Sequence, residues 1–265
     1  MSRGSKHGEW ATRARSFGAV AREYDRVRPS YAEQLVDDVV AELPGVGVVE
    51  VGAGTGKATA LFAARGVRIT CVEPDGEMAA VLAENCANLP NVEIVTASFE
   101  EWIPTRLYDG LYAAQSWHWT TPEHRYRNAA RALREGGVLA LFWNGTDWDQ
   151  TPLARVIDTV YRRHGLLRDD RPKPSRDPTQ WPLDELHALR TFADVELRTY
   201  RSTATYSTDE WCDYAASTSE HLILDRSRNT ALLADLHRTL DGEGGVVEIA
   251  RHTDLFLARR TALPA

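Results

Sequence analysis

The run Val48-Val49-Glu50-Val51-Gly52-Ala53-Gly54-Thr55-Gly56 constrains this chain more than any other segment. Apolar residues around one acid read as a buried strand. Glycines at alternate positions then read as a turn whose backbone comes very close to something else. The helix-compatible run Lys57 to Arg65 follows at once. Strand, glycine turn and helix in that order form a pocket of the nucleotide-binding type. A second apolar run, Val67 to Val72, ends on Glu73, where a strand-end carboxylate can grip the two hydroxyls of a ribose.

Three glycine motifs compete for this turn. A dinucleotide fingerprint needs its third glycine at the position of Lys57, so a nicotinamide or flavin reading loses weight. A Walker loop needs a longer spacing before Gly-Lys and then a hydroxyl residue, whereas Ala58 follows Lys57 here. What remains is G-x-G-x-G behind an acidic strand end, which resembles motif I of the class I S-adenosylmethionine-dependent methyltransferases. Further segments carry the resemblance: Tyr24-Asp25-Arg26-Val27-Arg28-Pro29-Ser30-Tyr31, Gln115-Ser116-Trp117-His118-Trp119 and Leu133-Arg134-Glu135-Gly136-Gly137-Val138-Leu139-Ala140. Together they are similar to a branch of small-molecule methyltransferases that includes trans-aconitate methyltransferase. The match is good over residues 14–145 and vague beyond 150. Glu50 stands where that motif commonly has Asp.

The bulk properties bound the alternatives. The length of 265 residues suits one large α/β domain or a core with an added cap. A net charge of −7 argues against wide contact with nucleic-acid backbones. The cysteines Cys71, Cys86 and Cys212 are odd in number and far apart, which suggests neither a disulfide framework nor a zinc site, and no metal-ligand cluster is apparent. The first residues, MSRGSKHGEW, lack the apolar stretch of a secretory signal, and no run is long enough for a membrane helix. The chain reads as cytoplasmic, with no membrane or nucleic-acid partner. Its oligomeric state is not legible.

Periodicity predicts helices over Trp10 to Tyr24 and Tyr31 to Leu43, with a break at Arg28-Pro29-Ser30 and disorder over residues 1–8. Strands are expected at Val48–Val51, Arg68–Val72, Val92–Thr96, Gly110–Ala114 and Gly137–Trp143. Helices between them begin near Lys57, Gly76, Phe99 and Pro122. Such alternation argues for a parallel sheet with helices on both faces and with its cofactor loops at one edge. Beyond Asn144 the readings are a helix over Thr151 to His164, a proline-rich loop over 171–178, helices at Thr208–Leu224 and Thr230–Leu240, and a strand pair at Val195–Thr205 and Gly245–Arg259. The fold class is thus α/β. The resemblance completes it as a Rossmann-like seven-stranded sheet, mostly parallel with an antiparallel terminal hairpin, and with a helical cap over the site. One domain would span 1–265, with a cofactor-binding core at about 45–145, N-terminal helices at 10–44 and a variable cap at 146–245.

The resemblance also assigns roles. Gly52, Ala53, Gly54 and Gly56 would pack against the amino-acid part of S-adenosylmethionine, and Glu50 would receive its ammonium or cap nearby amides. Glu73 would bind the ribose. Pro74, Met78, Ser98 and Phe99 would surround the adenine, Met78 being equally a core residue. Gln115 would lie under the sulfonium, and Tyr24 would close over the cofactor. His118, at the reacting edge, is a base, a substrate donor or a hydrogen-bonded structural residue. Trp117 and Trp119 flank it as walls, with one of them expected to turn into the core. Arg28 and Asn144 are further acceptor-side candidates, Arg28 as a partner for a carboxylate. The leading function is methyl transfer to a small molecule at oxygen, leaving S-adenosylhomocysteine. The alternatives are a macromolecule methyltransferase, disfavoured because Gln115-Ser116-Trp117-His118 replaces the N-P-P-[YF] type of motif, and a cofactor-binding protein without turnover.

Overall fold

The computed structural model describes residues 21–147, 151–166 and 181–262, with only the backbone described at Glu23, Tyr24 and Ser219. Its centre is a seven-stranded sheet in the order β3-β2-β1-β4-β5-β7-β6. The strands are β1 (Gly47–Val51), β2 (Arg68–Glu73), β3 (Val92–Thr96), β4 (Tyr108–Ala114), β5 (Leu133–Thr146), β6 (Phe192–Ser207) and β7 (Val246–Arg260). The first five run parallel. β7 is antiparallel to β5, and β6 to β7. The chain builds outward from β1 to β3 and then returns to place β4 on the other side of β1. That reversal is the switch point of a doubly wound sheet, and ligands bind outside the carboxyl ends of the strands there.

The helices are α1 (Ala21–Val27), α2 (Glu33–Glu42), α3 (Lys57–Ala63), α4 (Gly76–Asn85), α5 (Arg125–Ala132), α6 (Pro152–Arg163), α7 (Trp181–His187), α8 (Thr208–Ala216), α9 (Ser219–Leu222) and α10 (Arg226–Gly242). Successive residues of the parallel strands face opposite layers. Val48, Tyr112 and Phe142 join Leu35, Val39, Phe62 and Leu82 on one side of the sheet. Val49, Leu111 and Leu141 join Trp117, Tyr126, Ala129 and Leu186 on the other. Burial on both faces explains why these strands read as near-continuous apolar runs.

The β6–β7 hairpin continues past the end of β5, pairing as far as Ser207 with Val246. Its far end carries a third core, in which Ile157, Val160, Trp211, Leu232, Leu236 and Leu240 pack on Val247 and Ile249. α1 bridges this helical unit and α4. Arg22 is paired with Glu84 at 2.7 Å, and Arg26 with Asp213 at 2.6 Å.

Several expected elements differ in detail. The expected helix near Phe99 is a turn, because the Ser98 hydroxyl accepts from the Glu101 N–H and Pro104 follows. The expected helix Thr208–Leu224 is broken into α8 and α9, where Ser217 and Thr218 donate their hydroxyls back to the Tyr214 and Ala215 carbonyls. α7 was not expected from periodicity. The first helix continues past Tyr24 to Val27 before Arg28-Pro29 ends it. Its residues 10–20, the disorder expected over 1–8 and the loop over 171–178 lie outside the described residues. No helix among the described residues is long and apolar enough to cross a membrane.

Candidate active site

At the end of β1 the chain turns through Gly52, Gly54 and Gly56, whose φ angles are 65°, 59° and 92°. Side chains strain that left-handed region by about 1–2 kcal/mol each. Two of the glycines are also required by close packing. A Cβ on Gly52 would stand 2.6 Å from the Ser116 Cβ, and one on Gly56 would stand 2.6 Å from Leu82 Cδ1. Gly54 differs, since a Cβ there would meet no protein atom within 4 Å. The middle of the turn thus opens onto free space at the sheet edge.

Two carboxylates support the turn. Glu73, at the end of β2, accepts from the Gly54 N–H at 2.7 Å and the Asp75 N–H at 2.9 Å, one on each oxygen. Burial raises its pKa, and the two amides pull it back. Glu50 is 1% exposed. Its Oε2 accepts from Thr59 Oγ1 at 2.5 Å and the Tyr112 hydroxyl at 2.8 Å, with Cys71 Sγ at 3.8 Å. These contacts tie β1, β2, β4 and α3 together beneath the turn. Burial pushes the Glu50 carboxyl up to about 7, while the three side-chain donors oppose the rise and Glu73 adds to it.

The end of β4 closes the other side. Ser116 Oγ donates to the Val51 carbonyl. Gln115 has a φ of 60°, one of two non-glycine residues with positive φ among the described residues. Such strain persists only where the surroundings impose it, and it gathers at functional sites. Here it redirects the chain into the single helical turn Trp117–Trp119. His118 then faces an aromatic wall. Trp119 lies 4.5 Å from it between ring centres, and Trp143 on β5 donates its indole N–H to His118 Nδ1 at 3.2 Å. Burial, with Arg125 nearby, lowers the His118 pKa to about 4. The ring is therefore neutral at physiological pH.

Residues 48–137 match the methyltransferase domain family. An uncharacterised methyltransferase of Mycobacterium tuberculosis is 39% identical over 194 residues, covering 71% of this chain and 76% of that protein. The chain belongs to the class I S-adenosylmethionine-dependent methyltransferases. Among solved structures, a type II methyltransferase candidate from Anaeromyxobacter dehalogenans superposes with a TM-score of 0.63 at 20% identity, over 90% of this chain and 99% of that one. Phosphoethanolamine N-methyltransferase 2 of Haemonchus contortus, solved with phosphomonomethylethanolamine and S-adenosylhomocysteine, gives 0.54 at 14% identity, over 92% of this chain and 57% of that one. At these identities the superpositions speak for the fold.

In this methyltransferase the residues singled out from sequence divide into two groups. Glu50, Gly52, Gly54, Gly56, Glu73, Gln115, His118 and Trp119 converge at the ends of β1, β2 and β4. Pro74 is exposed beside them, and Ser98 sits at the end of β3 with its hydroxyl bonded to Glu101. The others are placed differently. Trp117, expected as a wall, is 0% exposed and lies in the core with Phe99 and Tyr126, because one tight helical turn sends neighbouring side chains to different sides. Met78 packs with Ala21 and Val81 between α1 and α4, and Ala53 and Phe99 are core residues. Arg28 donates to the Ser217 carbonyl at 3.0 Å and lies over the Tyr214 ring, so it joins the N-terminal segment to the end of α8. The Asn144 amide bridges the Ser30 carbonyl and the Thr253 hydroxyl. The Tyr24 side chain lies outside the described residues. His221 is buried and held by Tyr161 and Asn229 at 2.8 and 2.7 Å. Trp143 and Trp181 complete the wall and were missed as a pair, since their contact joins β5 to α7. Trp143 ends the apolar run of β5, the strand next to the one that leads to His118, and that placement was the available signal.

Proposed function

We propose that this methyltransferase moves the methyl group of S-adenosylmethionine to an oxygen of a small-molecule acceptor, a carboxylate or a hydroxyl, and releases S-adenosylhomocysteine. Residues 45–145 act as the cofactor-binding core and 146–245 as the acceptor cap. When bound, the cofactor supplies a methyl already activated on a sulfonium. The protein's task is then to hold the acceptor in line with it and to exclude water. The open side of Gly54 fits the methionine part. The oxygens of Glu73 have lone pairs left over from their amide donors for two ribose hydroxyls. Pro74 and the backbone of Ser98 and Phe99 border the adenine side, and Gln115 lies under the sulfonium.

The observation that carries the acceptor reading is His118, neutral and walled by Trp119 and Trp143 at the end of the strand next to the glycine turn. Such an aromatic wall with one polar group suits a small planar acceptor better than a macromolecular chain. Incubation with methyl-labelled cofactor and a panel of carboxylic acids and phenols tests the reading. Label that is lost under mild base marks methyl esters, and base-stable label marks ethers or amines. Cofactor uptake without transfer to any member of the panel would favour a binding protein of the same fold.

Two substitutions test the assigned roles. Glu73→Ala removes a charged acceptor for two hydroxyls and frees two part-buried amides, so cofactor affinity should fall about 100-fold or more. Calorimetry showing unchanged affinity would remove Glu73 from the ribose site. His118→Ala should lower kcat/KM for the acceptor by about 10- to 100-fold, the worth of one hydrogen bond to a charged group, and leave cofactor affinity intact. Equal turnover in the variant would return His118 to a structural role.

A further inference from the structure

The strongest unassigned feature is the chain of contacts behind His118. Trp143 Nε1 lies 3.2 Å from His118 Nδ1. An indole N–H can only donate, so Nδ1 must accept. A neutral imidazole with an accepting Nδ1 carries its proton on Nε2. Trp143 itself is fixed by edge-to-face packing against Trp181 and Phe256, each 5.7 Å away between ring centres. Trp181 is capped in turn by the Arg125 guanidinium at 4.4 Å. Arg125 is 4% exposed and ion-paired with Glu185 of α7. A buried arginine held this way keeps one geometry, and the stack passes that geometry to the indole.

We propose that Trp143 is a positioning residue for His118: it occupies Nδ1 and presents the ring to the acceptor as a fixed Nε2–H donor instead of a base. This rests on the reading of His118 as an acceptor contact and deepens it. Three elements surround the ring. Trp119 comes from its own turn, Trp143 from β5 and the Arg125 charge from α5, with Glu185 paired to Arg125. Arg125 and the indole N–H both disfavour a second proton on the ring, the first by charge and the second by bonding the neutral form. His118 thus orients one oxygen of a carboxylate, the member of the proposed acceptor class that takes the methyl on a free lone pair with no proton to lose.

The test is nitrogen NMR on histidine- and tryptophan-labelled protein without acceptor, with His118 assigned by loss of its signals in His118→Gln. The expected result is a protonated Nε2, an unprotonated Nδ1 and a scalar coupling across the bond from the Trp143 indole to Nδ1. Trp143→Phe keeps an aromatic ring but loses the donor. Its His118 should populate both tautomers and titrate at higher pH than in the parent. Its acceptor kcat/KM should fall about 3- to 10-fold, mainly through KM. Trp181→Phe, which alters the same wall without touching the bond, should keep the Nε2–H tautomer. A protonated Nδ1 in the parent protein would overturn the proposal. So would an unchanged tautomer and titration in Trp143→Phe. If Trp143→Phe does not fold, the parent spectrum and its coupling still decide. Failure of the methyl-transfer reading would instead appear in the acceptor panel, because the spectrum is recorded with no acceptor present.

Discussion

Gly54→Ala is expected to abolish measurable cofactor binding at concentrations that saturate the parent enzyme, while the protein stays folded. The variant adds one methyl group at φ 59°, where no protein atom lies within 4 Å of it. The fold therefore pays only the strain of a side chain in the left-handed region, about 1–2 kcal/mol. Gly66→Ala provides the matched control. Gly66 has φ 78° and open space around its Cβ, but it sits at the opposite end of α3, before β2. Both variants should lose similar stability in a denaturant titration, and Gly54→Ala alone should lose heat of binding in calorimetry. Equal, near-normal binding by the two would mean that the turn's open side faces water in the working enzyme, and the cofactor site would have to be sought elsewhere. Gly52→Ala is a poorer probe, because the added Cβ meets Ser116 at 2.6 Å and would mix loss of packing with loss of binding.

The parts of the site that were legible in the sequence are those whose cause is local. Alternate glycines announce positive φ and close approach within one short stretch, and Glu73 announces itself by ending an apolar run. Strand and helix periods placed β1 to β5 and the terminal pair, and β1, β2 and β4 read most clearly because parallel strands covered on both faces have no polar side to blur the pattern. Legibility failed where the deciding partner is distant in the chain. Nothing in Trp117-His118-Trp119 says which ring turns inward, since three residues make no period. The partners of Arg28 and Asn144, Ser217 and Thr253, lie far along the chain at the end of α8 and on β7. Met78 reads equally as an adenine contact or as core until α1 is laid across α4. α7 is seven residues long, too short for a helical period to declare itself. The Trp143–His118 bond depends on the register between β4 and β5, which composition does not encode.

Glu50 shows the same limit and carries the second large effect. Its acid character was legible, but its three partners come from β2, α3 and β4. Glu50→Ala would leave the hydroxyls of Thr59 and Tyr112 buried without their acceptor. At about 1–3 kcal/mol for each stranded group, plus the cavity, the expected loss is about 3–5 kcal/mol, a large share of a domain's stability. Glu50→Gln keeps an accepting oxygen and removes only the ionisation, so it separates packing from charge. The sign of the pH effect follows from the folded carboxyl being raised from 4.5 to about 7 by burial. Between those values the unfolded chain has released its proton and the folded protein has kept it. Stability is therefore highest at the acid end of that window and declines as pH rises through it, at about 1.4 kcal/mol for each pKa unit. Glu73, also raised by burial, acts in the same direction. The urea midpoint of the parent protein should fall between pH 5 and pH 8. In Glu50→Gln the descent should be shallower, so the variant gains on the parent as the pH increases. Parallel curves for the two proteins would show that Glu50 is already ionised in the fold. The hydroxyls around it would then be serving a buried anion, and the strand-end acid would be available to a ligand ammonium.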